Sequence, residues 1–381
     1  MGVYNALKNI VNYLLSERSI LNKVERNLGE EDYKEPLSIL LDSLNNEANL
    51  SLIGKIALRY QISSHLKIRS KIFEFIRDKD LRSPSKPIFV IGLPRSGTTF
   101  LFNLLSLDSN HRSPLVWEMF FPFPLINKEN KGGYKSRIKK ANLMMGFQRK
   151  LIPEMDFIHP IKPTNPEECL LITPYSLKSL LYSYMARIPT YEDYLKHTDQ
   201  KSVFLWHYRF LQTLESSGKP KRWLLKDPAH IGKLSEIIST YPDASFIQIH
   251  RDPAETIPSI CSLTEKTRSA FSNNISKREI GSRTLAYWEN ALSKGEKEKD
   301  LIDRNKFIDI KFDDFVKDPL RQIELIYSQL GLSLDRETKQ KMNSFSKNQE
   351  TEDQIKHRYD LNEFGLSTES VQNTLSKYLN Y

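Results

Sequence analysis

Residues 86–105 of the chain read KPIFVIGLPRSGTTFLFNLL. The apolar run from Ile88 to Ile91 predicts a strand buried on both faces, and residues 92–97 predict a glycine-containing turn into a helix. The helical pattern that follows carries Phe100, Leu101, Leu104 and Leu105. A strand, a glycine loop and a helix start bind anions because successive backbone N–H groups curl around a phosphate and the helix N-terminus adds roughly half a positive charge.

The loop departs in one position from the Walker A pattern G-x-x-x-x-G-K-[ST]. Thr98 stands where that pattern has lysine, between Gly97, which lets the backbone approach closely, and Thr99. A nucleoside-triphosphate hydrolase uses that lysine on the β- and γ-phosphates, so we expect this loop to hold a single terminal phosphate with Arg95 nearby. Ser96 offers a further hydroxyl and amide donor. The plainer alternative is a strand-to-helix turn that needs glycine for its geometry alone.

Composition limits the classes of protein to consider. The 381 residues have 39% hydrophobic and 27% charged side chains, which is typical of a globular chain with a core. The formal net charge is +9, which favours anionic partners such as nucleotide phosphates, nucleic acid or an anionic membrane. Only Cys169 and Cys261 are present and no apolar run reaches 18 residues, so we expect a cytoplasmic protein without disulfides or spanning helices.

The order of predicted elements indicates an α/β fold. Residues 1–83 are predicted to form an N-terminal helical extension, in which the basic, amphipathic segment 53–76 either packs on the core or contacts a membrane as a peripheral surface. Predicted strands at 223–226, 245–250 and 306–312 alternate with helices. This alternation predicts a P-loop-type three-layer fold, with a central, mostly parallel sheet flanked by helices, over residues 84–381. The tail from about residue 333 is polar and mostly helical.

Several segments between the first two strands have distinctive compositions. Residues 114–124 (PLVWEMFFPFP) are aromatic and proline-rich around Glu118, and with the tyrosine-rich stretch 175–194 they can line an apolar acceptor pocket. Residues 128–140 are predicted to form a loosely packed loop and not a nucleic-acid patch, because aromatic and basic residues are segregated. Residues 165–168 (NPEE) are predicted to cap a helix.

Polar clusters follow three predicted strands. They are Arg95 to Thr99, Lys226 to His230, and Arg251 with Ser259 eight residues later. The carboxyl ends of parallel strands open at one edge of a sheet, so we expect two anion sites with a cationic strand end between them. A nucleoside that carries phosphates at both ends fits this arrangement better than a triphosphate does.

On these residues the chain resembles the sulfotransferases that use 3′-phosphoadenosine 5′-phosphosulfate (PAPS). It is similar to the bacterial group that shares the P-R-S-G-T-T loop with tyrosylprotein sulfotransferases. The segments that carry the resemblance are FVIGLPRSGTTFLFNLL (89–105), WEMFFP (117–122), NPEEC (165–169), WHYRFLQ (206–212), WLLKDPAHIGKL (223–234), FIQIHRDPAETIPSI (246–260) and HRYDLNEFGL (357–366).

The resemblance implies the following donor-binding roles. The 5′-phosphosulfate is held by the loop residues Arg95, Ser96, Gly97, Thr98 and Thr99. Arg251 and Ser259 match the pair that holds the 3′-phosphate, and Phe100 stands where related enzymes carry an aromatic ring beside the adenine. The basic tract 356–358 either folds over the 3′-phosphate or is a solvated run of charges.

Catalytic roles are implied in the same way. Lys226 matches the lysine that balances charge on the transferring sulfuryl group, with Arg95 beside it. For the general base, Glu118 corresponds with a two-residue offset to the glutamate of tyrosylprotein enzymes. His230 lies two residues beyond the histidine position of the cytosolic small-molecule enzymes, where this chain has Pro228.

The predicted chemistry is in-line transfer of a sulfuryl group from PAPS to a hydroxyl, with an amine as second choice, on a small or lipid-like acceptor. Such a loose transition state needs positioning and charge stabilisation, so no metal is predicted. A positioned base removes the acceptor proton, and Glu118 in an apolar setting is suited to this. The alternatives are a P-loop nucleotide or metabolite kinase, and a basic peripheral membrane or nucleic-acid-binding protein.

Overall fold

The structure of the protein is a computed structural model. It describes residues 13–24, 27–125, 133–155, 159–216, 221–352 and 359–378. The predictions for residues 1–12, for the first part of the 128–140 loop and for the basic tract 356–358 lie outside these residues. Within the described ranges, no helix is both long and apolar enough to cross a membrane.

A five-stranded parallel sheet forms the centre of the protein, in the order β2-β3-β1-β4-β5. The strands are β1 (Ile88–Gly92), β2 (His111–Arg112), β3 (Arg222–Lys226), β4 (Ser245–His250) and β5 (Phe307–Lys311). The predicted α/β class and mostly parallel sheet are therefore confirmed. Only β2 was not predicted, because two residues are too few to show an alternating pattern.

Helices cover both faces of this sheet and build the N-terminal region. The α-helices are α1 (Glu17–Leu21), α2 (Lys34–Asn46), α3 (Leu52–Ile76), α4 (Thr98–Leu105), α5 (Val116–Phe120), α6 (Gly133–Leu151), α7 (Leu181–Met185), α8 (Pro189–His197), α9 (Lys201–Glu215), α10 (Leu234–Thr240), α11 (Pro253–Phe271), α12 (Lys277–Lys299), α13 (Phe312–Lys317), α14 (Pro319–Gln329), α15 (Arg336–Glu352) and α16 (Thr368–Leu375).

Alternating side chains of β1 divide the core into two layers. Phe89 and Ile91 belong to one hydrophobic cluster, which contains residues of α9, α10, α11 and α12. Ile88 and Val90 belong to another, with residues of α4, α13 and α14. Because successive strand side chains point to opposite faces, this alternation produces the three-layer arrangement of helices, sheet and helices.

The N-terminal helices pack against the remainder of the chain through a third hydrophobic cluster. This cluster joins residues of α1, α2 and α3 to residues of α7 and α8 and to Phe271. Arg69 of α3 is buried and hydrogen-bonds the carbonyl oxygens of Leu28 and Tyr175, while its guanidinium lies 3.9 Å from the centre of the Trp206 ring. The boundary between an extension and a main domain near residue 83 stays a prediction.

Two local predictions are wrong, and a third holds only in part. Residues 133–140 form the start of helix α6 and not a loop. Residues 165–168 do not cap an α-helix: the backbone N–H of Val116 donates to Asn165, and that of Glu167 to Pro114, so this segment pairs with 114–116. Of the tyrosine-rich stretch, Tyr175, Tyr182 and Tyr191 have no exposed surface, whereas Tyr194 lines a surface cavity of about 520 Å³ together with Glu35 and Ile39. A role of this stretch in acceptor binding stays a prediction.

Candidate active site

The glycine loop joins β1 to α4 through backbone conformations that most residues avoid. Gly97 caps α4 with φ of 94°, and Gly92 ends β1 with φ of 139°. A Cβ at Gly92 would lie 2.6 Å from the carbonyl oxygen of Ile249, and one at Gly97 would lie 3.0 Å from the Phe312 ring. Only glycine fits both positions, so the sequence fixes a tight loop at the carboxyl end of the sheet.

Two loop residues stabilise this turn. The hydroxyl of Ser96, which is completely buried, donates to the carbonyl oxygen of Leu93 at 2.6 Å. Arg95 has φ of 68°, which presents its exposed side chain outward while the Ser96 side chain points into the protein. In this arrangement Ser96 braces the loop, and the predicted phosphate contacts of 95–99 stay predictions.

Lys226 occupies the centre of the candidate site. This residue ends β3, next to β1, and its side chain is almost fully buried. Its ammonium donates to the carboxylate of Glu168 at 2.6 Å and to the hydroxyl of Thr99 at 3.0 Å. The ammonium therefore connects the phosphate loop to an acidic group contributed by the 163–169 segment.

A second acidic residue and a histidine complete this cluster. The Glu167 carboxylate lies 4.0 Å from the Lys226 ammonium and 3.3 Å from Nε2 of His159. We refer to Thr99, His159, Glu167, Glu168 and Lys226 as the charged cluster. Its carboxylates face a buried ammonium, which is an arrangement that can stabilise developing negative charge and also accept a proton.

The electrostatics of the charged cluster favour its ionised forms. Burial alone lowers the pKa of Lys226, but the carboxylates of Glu168 and Glu167 outweigh burial and raise it. For Glu167, burial raises the pKa, yet the charge and hydrogen bond of His159 and the charge of Lys226 bring it down to about 2. The pKa of His159 is correspondingly raised, since Glu167 outweighs its burial. Lys226 is therefore a permanent cation near neutral pH.

The predicted 3′-phosphate pair lies one strand further along the sheet. Arg251 follows β4 and donates from Nη1 to the backbone carbonyl of Arg95 at 3.1 Å, so the glycine loop and the predicted second anion site adjoin. The Arg251 guanidinium also binds Glu255 and lies 4.1 Å from the Phe312 ring centre. Ser259 on α11 is 3% exposed, and its hydroxyl has no hydrogen-bond partner among the described residues.

Phe100, predicted beside the adenine, lies on the outer face of α4. Its ring is 5.2 Å from that of Phe315 and 6.3 Å from that of Phe345. The residue is half-buried, so part of the ring is covered by α13 and α15. An adenine-stacking role stays a prediction.

Glu118, the first predicted base, has contacts that stabilise local structure. One carboxylate oxygen accepts from the backbone N–H of Leu115 at 3.0 Å, and the other lies 3.3 Å from Nη2 of Arg112. In the first contact, Glu118 binds the backbone N–H of Leu115, the residue three positions earlier that precedes α5. Acidic residues commonly cap the N-terminus of a helix in this way. The described contacts of Glu118 therefore connect it to β2 and α5 and not to Lys226.

His230, the second predicted base, lies in a dry part of the core. It is completely buried, with its ring 5.3 Å from Phe204 and 5.6 Å from Phe89. Neither ring nitrogen has a hydrogen-bond partner within the described ranges. Burial, and next to it the neighbouring His207, lower the pKa of His230 well below its ordinary value, so the ring is neutral.

Asp227 lies in the chain between Lys226 of the charged cluster and the buried His230. Its carboxylate accepts from the backbone N–H of Ala229 at 2.9 Å and thereby caps the short 3₁₀ turn Pro228–Gly232. Burial and the charge of Glu168 raise the pKa of Asp227 to about 7. This residue is thus an organiser of the strand end whose charge depends on pH near neutrality.

Two groups of possible metal ligands occur in the described part of the chain. Ligand atoms lie within 4.8 Å of one another in the set His159, Glu167 and Glu168, and in the set Cys169, His207 and His230. In the first set the Lys226 ammonium already neutralises the carboxylates. In the second, His207 hydrogen-bonds the Tyr241 hydroxyl at 2.7 Å and contacts the Cys169 sulfur at 3.2 Å. The chemistry proposed below uses neither group for a metal.

The contacts of His159, Glu167 and Glu168 are not predicted from the sequence. The adjacent carboxylates in NPEEC fit a helix cap, although the segment is one of those that carry the family resemblance. Two consecutive acidic residues directly before the apolar residues 169–172 were the available signal. Nothing comparable marks His159, which reaches Glu167 through the fold alone.

Comparisons with known proteins identify the family of this chain. A model of the sulfotransferase family matches residues 87–336, more than half of the chain. The omega-hydroxy-beta-dihydromenaquinone-9 sulfotransferase Stf3 of Mycobacterium bovis, and the protein of the same name from Mycobacterium tuberculosis, are each 26% identical over 255 residues, or 65% of this chain. The match spans only 63% of the length of these curated relatives.

Two solved structures share the fold over nearly the whole chain. Sulfotransferase STF1 from Mycobacterium tuberculosis H37Rv is 28% identical, with a TM-score of 0.79 over 96% of this chain and 97% of that one. Sulfotransferase STF9 from Mycobacterium avium is 22% identical, with a TM-score of 0.78 over 98% and 95%, and supports the fold. From its phosphate loop, its buried strand-end lysine and its match to the family model, this chain belongs to the sulfotransferase family.

Proposed function

We propose that the protein transfers a sulfuryl group from PAPS to a hydroxyl group of a lipid-like acceptor. The observation that carries this proposal is the position of the Lys226 ammonium, which contacts both Thr99 of the phosphate loop and Glu168. A P-loop kinase would have a lysine in the loop itself, where this chain has Thr98. Lys226 supplies a cation from the neighbouring strand.

The donor-binding residues fit a nucleotide with two separated anionic groups. Glycines at 92 and 97 keep the loop close to neighbouring backbone and side chains, leaving the N-terminus of α4 for the 5′-phosphosulfate. Arg251 and the buried hydroxyl of Ser259, which lacks a partner within the described ranges, are suited to the 3′-phosphate. That second site is what would separate PAPS from ATP.

The reaction needs one proton acceptor and one source of positive charge. The acceptor oxygen forms a bond to sulfur while the bond between sulfur and the bridging phosphate oxygen breaks, and the hydroxyl proton passes to a carboxylate. Glu168 is suited to this because it contacts Lys226 and is 17% exposed. Glu167 is instead the ionised partner of His159, whose charge and hydrogen bond help to lower the pKa of Glu167 to about 2. Lys226 stabilises the negative charge on the departing phosphate.

The proposed acceptor is a hydroxylated lipid-like molecule. The relative Stf3 is named for an omega-hydroxylated menaquinone, an isoprenoid with a terminal alcohol. In this chain the half-buried Phe120 and Phe121 lie at the C-terminal end of α5 and can contact an apolar acceptor. An alcohol is proposed in preference to an amine, because an amine that is protonated at neutral pH has no free electron pair with which to attack sulfur.

The test is a transfer assay with matched donors and acceptors. Purified protein is incubated with PAPS or ATP and with a long-chain primary alcohol, an isoprenoid alcohol or the corresponding amine, and products are identified by mass spectrometry. We expect a sulfated alcohol from PAPS alone. Calorimetry with 3′-phosphoadenosine 5′-phosphate measures donor-site binding separately. Absence of both binding and transfer, or phosphorylation from ATP, would refute the proposal.

A further inference from the structure

Helix α6 has an unusual outer face. Leu143 is 78% exposed and Phe147 is 60% exposed, and the two residues are four positions apart, so their side chains adjoin on one face. The opposite face is the one that packs on the protein, through Arg137, Ala141 and Met145. A leucine and a phenylalanine therefore extend together into the surroundings.

The charge of α6 is entirely of one sign. Residues 133–151 contain six basic side chains and no acidic one. Lys139, Lys140 and Lys150 are exposed, and at 100° per residue they lie on the same side of the helix as Leu143 and Phe147. We call these five residues the basic-apolar face. An exposed apolar pair flanked by lysines, on a helix without acidic residues, has the charge and the apolar contacts that an anionic lipid surface attracts.

A lipid surface fits this face better than a protein partner does. Two apolar side chains cover far less than the roughly 800 Å² per partner that a stable protein interface needs. Lysine is also depleted from the centres of protein interfaces, whereas at a membrane its aliphatic stem lies along the acyl boundary and its ammonium reaches the headgroups. Charge complementarity therefore selects an anionic bilayer.

The inner side of α6 is anchored to both segments that lead to the charged cluster. Arg137 donates to the backbone carbonyls of Phe121 at 3.1 Å and Pro122 at 3.0 Å, directly after α5. At the other end, Arg149 donates to the carbonyl of Ile161 at 3.2 Å, two residues from His159. Helix α6 would thus lie between a bound membrane and the two segments that lead to α5 and to His159.

We propose that the basic-apolar face of α6 docks the protein on anionic lipid bilayers, so that a membrane-resident acceptor can reach Glu168 without crossing water. This step deepens the proposed function and rests on its lipid-like acceptor. The proposal places the peripheral membrane contact on α6. The sequence alone had indicated such a contact on α3.

The test is sedimentation with vesicles of phosphatidylcholine, alone or with about one third phosphatidylglycerol. The variants are Leu143→Ser/Phe147→Ser, which removes the apolar pair, and Lys139→Glu/Lys140→Glu, which reverses charge. Matched controls on α3 are Ile53→Ser/Ile56→Ser, an exposed apolar pair, and Lys67→Glu/Lys71→Glu, an exposed lysine pair. Calorimetry with 3′-phosphoadenosine 5′-phosphate checks that each variant is folded.

We expect the unaltered protein to bind anionic vesicles and to dissociate as salt is raised. Both α6 variants should lose at least tenfold in partitioning, while the α3 controls bind normally. The inference is overturned if the unaltered protein does not bind, if α6 variants bind fully, if the α3 variants alone lose binding, or if the α6 changes alter only the oligomeric state by analytical ultracentrifugation. Failure of sulfuryl transfer with intact vesicle binding would instead refute the proposed function.

Discussion

Two neighbouring clusters that each contain histidine differ in charge and in the pKa of that histidine. In the charged cluster, Glu168 contacts the Lys226 ammonium and His159 pairs with Glu167. Cys169, the next residue along the chain, points to the other side and contacts His207, which lies beside His230. We call Cys169, His207, His230 and Tyr241 the dry cluster. The two clusters diverge between residues 168 and 169.

The difference lies in solvation and pairing. In the charged cluster, opposite charges offset the cost of burial, so that the pKa of His159 is raised. In the dry cluster no opposite charge compensates, and burial lowers the pKa of His207 to about 3. The position of a histidine directly after β3 is therefore not enough to make it a general base. Charge partners and access to the acceptor decide which cluster can take up a proton.

Substitution of the proposed base should have the largest effect. Glu168→Gln keeps the shape of the side chain but cannot accept the acceptor proton, and we expect turnover to fall by about 10²- to 10⁴-fold with little change in donor affinity. Steady-state sulfuryl transfer measures this loss. Glu118→Gln is the matched control, because Glu118 contacts Arg112 and the α5 terminus. A larger loss in the control would move the base to Glu118.

Removal of the central cation should come next. Lys226→Met retains the buried stem and deletes the ammonium, so turnover should fall by about 10²- to 10³-fold, as for loss of an electrostatic stabiliser. Lys294→Met is the control, since Lys294 binds Glu236 and Glu298 on a different surface. Equal turnover in the two variants would show that Lys226 is structural.

The second anion site should affect binding in preference to turnover. Arg251→Ala removes a charge-assisted phosphate contact, and we expect about tenfold weaker binding of 3′-phosphoadenosine 5′-phosphate by calorimetry. Affinity for adenosine 5′-phosphosulfate, which has no 3′-phosphate, should be nearly unchanged. Equal losses for both nucleotides would mean that Arg251 acts on the loop through its contact with the Arg95 carbonyl.

The His159–Glu167 pair should make a pH-dependent contribution to stability. His159 has a raised pKa in the folded protein, so its contribution is complete below the unfolded pKa near 6.5 and is lost as pH rises through the folded value. His159→Gln should therefore lower the free energy of unfolding by about 1.5 kcal/mol at pH 6 and by less at pH 9. Urea denaturation at the two pH values measures this. A loss independent of pH would contradict the ion pair.

The dry cluster should give the smallest effect on catalysis. His230→Leu replaces a neutral ring, whose nitrogens lack partners among the described residues, by an apolar group, so turnover should stay within about twofold of the unaltered protein. The melting temperature should be equal or higher, because an unpaired polar group is removed. A loss of turnover as large as that of Glu168→Gln, in a folded variant, would return His230 to the catalytic role first expected.

The part of the site that is local in sequence could be predicted. The β1 strand, the glycine loop and α4 follow one another directly, so hydrophobic pattern and glycine spacing placed the loop correctly. β4 followed by Arg251 was predicted for the same reason. Lys226 was placed because the end of a buried strand must reach the edge of the sheet.

The positions of the acidic residues of the site could not be predicted, because they depend on backbone pairing between segments that are far apart in the sequence. Glu167 and Glu168 reach Lys226 since the backbone around residue 165 pairs with residues 114–117, fifty positions earlier. His230 lies on the buried 3₁₀ turn Pro228–Gly232, which the sequence did not reveal, and its role as a base stays a prediction. The hydrogen bond from the backbone N–H of Leu115 to Glu118 could not be predicted either, because a capping box has serine or threonine where this chain has leucine.

The measurement that tests the account most directly is a single turnover by Glu168→Gln with enzyme in excess over labelled PAPS and a long-chain alcohol. This design removes product release and reports the bond-forming step alone. We predict donor binding equal to that of the unaltered protein and sulfation of the alcohol slowed by at least about 100-fold. Sulfation at the unaltered rate would contradict the assignment of the reacting centre to Lys226 and Glu168.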